Sequence, residues 1–247
     1  MAGTERAGAR KPPESVWTRP ARARREQPTL TRGQIVDAAL ELLDAEGLDG
    51  LSMRRLGTRL NSGATSVYWH VANKDELLEL ALDRVMGEVR VPPGDGGDGD
   101  DGWRDAVAGY ARSLRTMIHR HPWTVPLFGV QPMIGPNATR VLDEVIAAFD
   151  GAGLAGMDLE NAMSLVADYV IGAAGSEASW QNAHDAATGE DWLETLAPYL
   201  AEIADRHPRL TAHVREVWAR ETADVLEQRF DYGLSCVLAG IEAHRPR

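Results

Sequence analysis

The chain is 247 residues long with 44% apolar and 6% aromatic residues, enough for a sizeable core in one large domain or two small ones. No run approaches the ~18 consecutive apolar residues of a membrane span, and the basic N-terminus lacks the apolar stretch of a signal peptide, so a cytoplasmic protein without a membrane partner is expected. The net charge of −11 argues against a polyanionic partner until the charges are placed: residues 1–28 hold seven basic against three acidic residues, 29–75 five against six, and 76–247 fourteen arginines against 28 acidic residues. One basic end on an acidic body can face a polyanion; charge alone equally fits a basic tail with no partner.

Residues 1–28 contain four prolines and no apolar periodicity and read as a disordered basic arm, with Arg19, Arg22, Arg24 and Arg25 crowded together. The first helix starts at a capping box, Thr31 with Gln34, and a staple of Leu30 against Ile35. Its apolar face is Ile35, Ala38, Ala39, Leu42 and Leu43, and Gly47 ends it. Ser52 caps a second helix with Met53, Leu56 and Leu60 inward, closed by Asn61 in a left-handed conformation. A third helix of about two turns follows over Thr65–His70. Asn73 and Glu76 cap a fourth, whose stripe is Leu77, Leu78, Leu80, Ala81, Val85 and Met86. The segment 29–75 is thus a three-helix head, and 76–91 a linker helix.

Residues 92–102 (PPGDGGDGDDG) form a flexible acidic loop. An EF-hand beginning at Asp98 finds Gly109 where the closing Glu belongs, which excludes that calcium loop. From 103 to 247 the pattern is helical at period 3.6, interrupted near 183–190, and nothing alternates at period 2 long enough for a strand. The expected class is all-α.

Two short helices joined by a tight turn match a helix-turn-helix, whose recognition helix must fit a groove about 12 Å wide. Residues 64–70 meet that requirement, with Ala64, Thr65 and Ser66 at the front and Tyr68 able to reach base or phosphate. Val67 and His70 are expected to pack inward. Lys74 can meet phosphate, and Arg54 is the fork-shaped donor suited to guanine; Arg55 and Arg59 read more plainly as solvated face residues.

The stretch Leu51–Leu78, through Val67-Tyr68-Trp69-His70-Val71, Asn73-Lys74 and Leu77-Leu78, resembles the DNA-binding domain of the TetR family of transcriptional repressors. The resemblance gives Arg54 the guanine contact, Ala64, Thr65, Ser66 and Tyr68 the base- and phosphate-facing positions, Trp69 and His70 the groove-facing and packing end, and Lys74 the phosphate anchor. Ala64 stands where the tetracycline-repressor type has a base-reading glutamine, and Ser62 where the family commonly has an apolar residue, so the operator sequence does not transfer. Residues 103–243 resemble the family's effector-binding domain through Gly129–Pro132, Tyr169–Gly172, Tyr232-Gly233-Leu234 and Gly240-Ile241-Glu242. The implied architecture is a helix-turn-helix DNA-binding domain joined through a linker helix to a larger helical ligand-binding and dimerisation domain.

The apolar stripe Leu226, Phe230, Leu234, Val237 and Ile241 on the last helix is core by periodicity alone. The resemblance makes it, with Gly172 on the helix at 158–181, the homodimer face. Tyr110, Met117, Trp123, Phe128, Met133, Tyr169 and Trp180 are the large side chains available to line an effector pocket. Aligning the Gly129–Pro132 turn places Leu127 where family members that bind a tetracycline–magnesium complex have a histidine. The expected effector is therefore apolar or amphipathic, with no metal. Cys236 reads as a buried, inert thiol on the apolar side of the last helix. No catalytic motif or cofactor signature is present. The expected function is a ligand-responsive regulator, a repressor binding a palindromic double-stranded DNA operator as a dimer. The competing reading is a helical small-molecule-binding module without DNA regulation, against which the Arg54, Tyr68 and Lys74 set argues.

Overall fold

The computed structural model describes residues 15–18, 30–94, 102–183, 189–217 and 223–245, and these contain helices and no strand. The α-helices are α1 (Arg32–Gly50), α2 (Met53–Arg59), α3 (Ala64–Tyr68), α4 (Lys74–Met86), α5 (Gly102–Arg120), α6 (Pro136–Asp150), α7 (Gly156–Ala183), α8 (Gly189–Ile203), α9 (Pro208–Val217) and α10 (Ala223–Ala243). Contacts group the chain into two units, Met1–Arg84 with Leu127–Thr139, and Val85–Pro126 with Arg140–Arg247. Among the described residues, no helix is long and apolar enough to cross a membrane.

In the first unit, the Thr31 hydroxyl accepts from Gln34 N, and the Gln34 side chain accepts from Thr31 N at 2.9 Å, completing the capping box. All five residues of the expected apolar face of α1 are buried. Gly47 adopts φ +68°, yet helix resumes beyond this kink to Gly50. Ser52 Oγ accepts from Arg55 N to start α2, and Asn61, with φ +49°, turns the chain after it. Leu60, expected inward, is half-buried because it serves as the C-cap of α2. Gly57 is required by the tight α2–α3 approach: a β-carbon there would lie 2.9 Å from Ala64 N and 3.0 Å from Ser62 O. Helix α3 is shorter than the expected Thr65–His70. His70 N donates to Val67 O at 2.9 Å, so the last turn tightens and leaves the α-helix at Tyr68.

Part of the stretch read as a disordered arm is folded. Val16–Thr18 form a 3-10 turn with Ser15 and Val16 buried. The cause is Glu79 of α4, a buried carboxylate that accepts from the Ser15 hydroxyl and from Val16 N at 2.9 Å. Arg19, Arg22, Arg24 and Arg25 lie outside the described residues.

In the second unit, α5 packs on α7, and α10 packs on both. Trp103 of α5 meets Phe149 of α6 with ring centroids 6.1 Å apart. Helices α8 and α9 close a small core of their own from Leu196, Leu200, Ile203 and Val214.

Here the dimer-face expectation is corrected. Phe230 is 1% exposed within the single chain, its ring 5.5 Å from that of Tyr169, and Leu234 and Ile241 are buried too. Leu226 and Val237 are half-buried. Phe230, Leu234 and Ile241 are therefore core, as periodicity alone indicates, on a helix that packs against α5 and α7. The opposite face of α10 carries exposed Tyr232, Ser235, Cys236, Ala239 and Gly240, so Cys236 is exposed rather than buried.

Replacing Gly57 with Val should destabilise the head by about 1–3 kcal/mol, since the atoms in its way are backbone and cannot rotate aside. Urea unfolding followed by tryptophan fluorescence checks this, and Gly63→Ala, with nothing within 4 Å of its added carbon, serves as the comparison.

Candidate functional site

Helix α3 is held by its inner side. Val67 is fully buried, and Arg32 of α1 donates to the His70 carbonyl at 3.3 Å, tying the start of α1 to the end of α3. The other side faces out: Thr65 and Tyr68 are exposed and Trp69 is 68% exposed, while Ala64, Ser66 and His70 are half-buried. Trp69 is the C-cap of α3 and follows Tyr68 directly. The presented edge combines hydroxyls and aromatic faces with no acidic residue between 64 and 70.

The four cations near this face have different surroundings. Arg55 pairs with Glu46 (Nη1 to Oε2, 2.6 Å) and donates to the Gly50 carbonyl, and Arg59 pairs with Glu41 (Nε to Oε2, 2.9 Å). The Arg55 hydrogen bond holds the Glu46 carboxyl below its ordinary value. Both arginines staple α2 to α1. Arg54 is exposed, and among the described residues its guanidinium makes no hydrogen bond or ion pair. Lys74, expected to serve phosphate, is half-buried, and its Nζ donates to the Leu48 carbonyl at 2.7 Å. It therefore secures the end of α1 beyond the Gly47 kink, leaving two of its three ammonium protons.

The seven side chains proposed for a pocket come from both units. Phe128 and Met133 belong to the first unit and the other five to the second. Tyr110, Met117 and Trp123 are buried, and burial pushes the Tyr110 phenol up to about 12. Tyr169 is half-buried, and its hydroxyl donates to the Phe230 carbonyl at 2.8 Å. Trp180 is 37% exposed. A separate cavity of about 310 Å³ lies between α7 and α10, lined by Leu154, Asp158, Ala162, Leu165, Ile241 and His244 among others. Gly172 is exposed with open space around it.

A charged cluster that the sequence reading missed lies among α5, α7 and α10. Arg115 Nε donates to Glu177 at 2.9 Å, its Nη1 reaches Glu227, and His119 Nε2 lies 2.8 Å from the same Glu177. The Arg115 guanidinium also lies 4.5 Å from the Phe230 ring centroid. A signal was present: Arg115 occupies the core register of Ala111 and Ile118, where a charge demands a buried partner. Burial raises the Glu177 pKa, but the hydrogen bonds from His119 and Arg115 outweigh it and hold the carboxyl below its ordinary value. Among the described residues, no group of three or more His, Cys, Asp or Glu is arranged to hold a metal.

Residues 35–81 match the family described as "Bacterial regulatory proteins, tetR family", and residues 95–245 match "Tetracyclin repressor-like, C-terminal domain". The chain belongs to the TetR family. It is a ligand-responsive, DNA-binding transcriptional regulator. An HTH-type transcriptional regulator of Saccharopolyspora erythraea is 38% identical over 231 residues, 94% of this chain and 92% of that protein. The HTH-type transcriptional repressor DrrR1 of Streptomyces coeruleorubidus is 34% identical over 236 residues, covering 93% and 84%. The crystal structure of the TetR family protein ActR from Streptomyces coelicolor in complex with actinorhodin superposes with a TM-score of 0.74 at 31% identity, covering 89% of this chain and all of that one.

The depressed Glu177 carboxyl binds fewer protons in the folded than in the unfolded chain. Its contribution to stability is therefore complete above the ordinary carboxylate value and is lost as pH falls through the lower folded value. Glu177→Gln should lower stability at neutral pH and flatten the acid side of a plot of urea midpoint against pH.

Proposed function

We propose that this regulator is a repressor that grips a palindromic operator as a dimer and is released by an organic effector. The carrying observation is α3, a short helix whose buried Val67 and tethered His70 leave Thr65, Tyr68 and Trp69 exposed on one edge. Such an edge fits the major groove, with hydroxyls toward phosphate or a thymine methyl and aromatic faces toward base or sugar. Arg54 reads guanine, since its fork is not committed to a neighbour, whereas Arg55 and Arg59 are held by α1. Ala64, Ser66 and His70 shape the edge. Lys74 holds the end of α1 and presents its remaining protons to phosphate. Arg19, Arg22, Arg24 and Arg25 add non-specific attraction for the duplex.

The dimer forms through the exposed sides of α7 and α10 rather than through the buried stripe. Asn161, Leu165, Asp168 and Gly172 share one face of α7, and Tyr232, Cys236 and Ala239 one face of α10. Small residues there allow close helix approach. Dimerisation matters because one five-residue helix reads too few base pairs alone.

The effector is apolar or amphipathic and organic, on the model of actinorhodin and (S)-DNPA, found in the complexes of the 31%-identical ActR. Leu127 in place of a histidine disfavours tetracycline–magnesium. The body's aromatic residues, among them Tyr169 and Trp180, are its candidate contacts.

Selection of bound DNA from a random pool should return a palindrome, and actinorhodin added to the complex should release it. A non-palindromic consensus, or selection of no DNA at all, would overturn the repressor reading. Arg54→Ala should cost about 1–3 kcal/mol of binding and relax specificity at one base pair per half-site, with no change in thermal stability. Gly172→Arg should give folded monomers by ultracentrifugation that no longer bind the selected operator.

A further inference from the structure

Three segments distant in sequence converge on α4, all within the first unit. At its N-terminal end, Glu76 accepts from Ala72 N at 3.0 Å, just after α3, and Lys74 holds the Leu48 carbonyl. Midway, Glu79 accepts from Ser15 and Val16. Near its C-terminal end, Asp83 accepts from Asn137 N at 3.0 Å, Asn137 Nδ2 at 3.0 Å and Ala138 N at 2.9 Å, the open amides at the start of α6.

The N-terminal turn joins the last two of these. Ser15 Oγ, which donates to Glu79, also accepts from Trp17 N at 3.2 Å, so the turn closes on itself. The Trp17 indole lies against Gly135: a β-carbon there would be 2.8 Å from Trp17 Cε2 and would also strike the Asp83 carboxylate. Trp17 is thus packed where Asp83 meets the start of α6, although it bonds neither Asn137 nor Ala138.

We propose that Ser15–Trp17 is a brace that locks α4 to the 135–138 segment, and that Trp17 and Glu79 are positioning residues for operator binding, acting through α4. Glu79 is 3% exposed. A carboxylate so buried cannot tolerate the loss of its donors, so removing the turn forces α4 to move or admit water. Because α4 is bonded to the end of α1 at Leu48 and to the residue following Val71, its freedom becomes freedom of the recognition helix. A dimer must present two such helices at one half-site spacing, and widening their range lowers affinity without removing any phosphate contact.

The experiment uses the full chain with Trp17→Ala, Trp17→Phe and Ser15→Ala. Trp17→Ala should raise amide exchange of Asn137 and Ala138, read by NMR, and weaken operator binding about tenfold at an unchanged salt slope. Trp17→Phe should restore both, which a general loss of stability would not. Ser15→Ala removes one hydroxyl and should give the same changes at a smaller size, so the proposal remains testable if Trp17→Ala does not fold. Unchanged exchange at 137–138, unchanged or tighter operator binding, or a reduced salt slope, which would mean that the turn touches DNA itself, would each overturn the brace. No effector enters the experiment, so its outcome is separate from that of the effector reading.

Discussion

A carboxylate withdrawn from water must be met by hydrogen-bond donors, and α4 buries three: Glu76, Glu79 and Asp83. Each recruits a different part of the chain. Glu76 takes the backbone after α3, Glu79 the N-terminal turn, and Asp83 the amides that open α6. Apolar packing alone is non-directional and would let these segments slide along the helix. Directional bonds to buried charges give each segment one register. The DNA-facing head thereby includes residues from near 16, 75 and 137 as one unit.

The same principle recurs in the second unit with the sign reversed. Arg115 brings a cation into the apolar face of α5, and Glu177 and Glu227 answer from α7 and α10. Removing one partner from such a pair leaves an uncompensated charge, so these groups specify how the three helices align more than they add to stability. Phe230 completes the arrangement, packed beneath the Arg115 guanidinium and beside Tyr169. The side of α10 away from Phe230 is exposed and carries Tyr232, Cys236 and Ala239.

Much of the head was legible from local chemistry. The capping box at Thr31 and Gln34, the Ser52 cap, the left-handed Asn61 and the apolar face of α1 each depend on residues within a few positions of one another. Burial of Val67 followed from helical spacing. Less local features were read incompletely. The Lys74 ammonium donates to the Leu48 carbonyl 26 residues earlier in the chain, a bond that no local pattern announces. The stripe through Phe230 reads as core by periodicity and as a dimer face only by the family resemblance, and nothing local shows that the same chain covers Phe230.

Fold class, helix starts and the position of the recognition helix were therefore decided by the sequence itself, since caps and 3.6-residue periodicity are short-range and written in adjacent residues. Tertiary structure alone decided which charges are spent internally. Arg55 and Arg59 are bound to Glu46 and Glu41, Arg115 to Glu177, and Glu79 to a turn 63 residues earlier, whereas Arg54 remains exposed. The reason is physical: a charge on a helix reads the same whether it meets water or a partner, and only the folding of distant segments against it brings a donor or an acceptor within 3 Å.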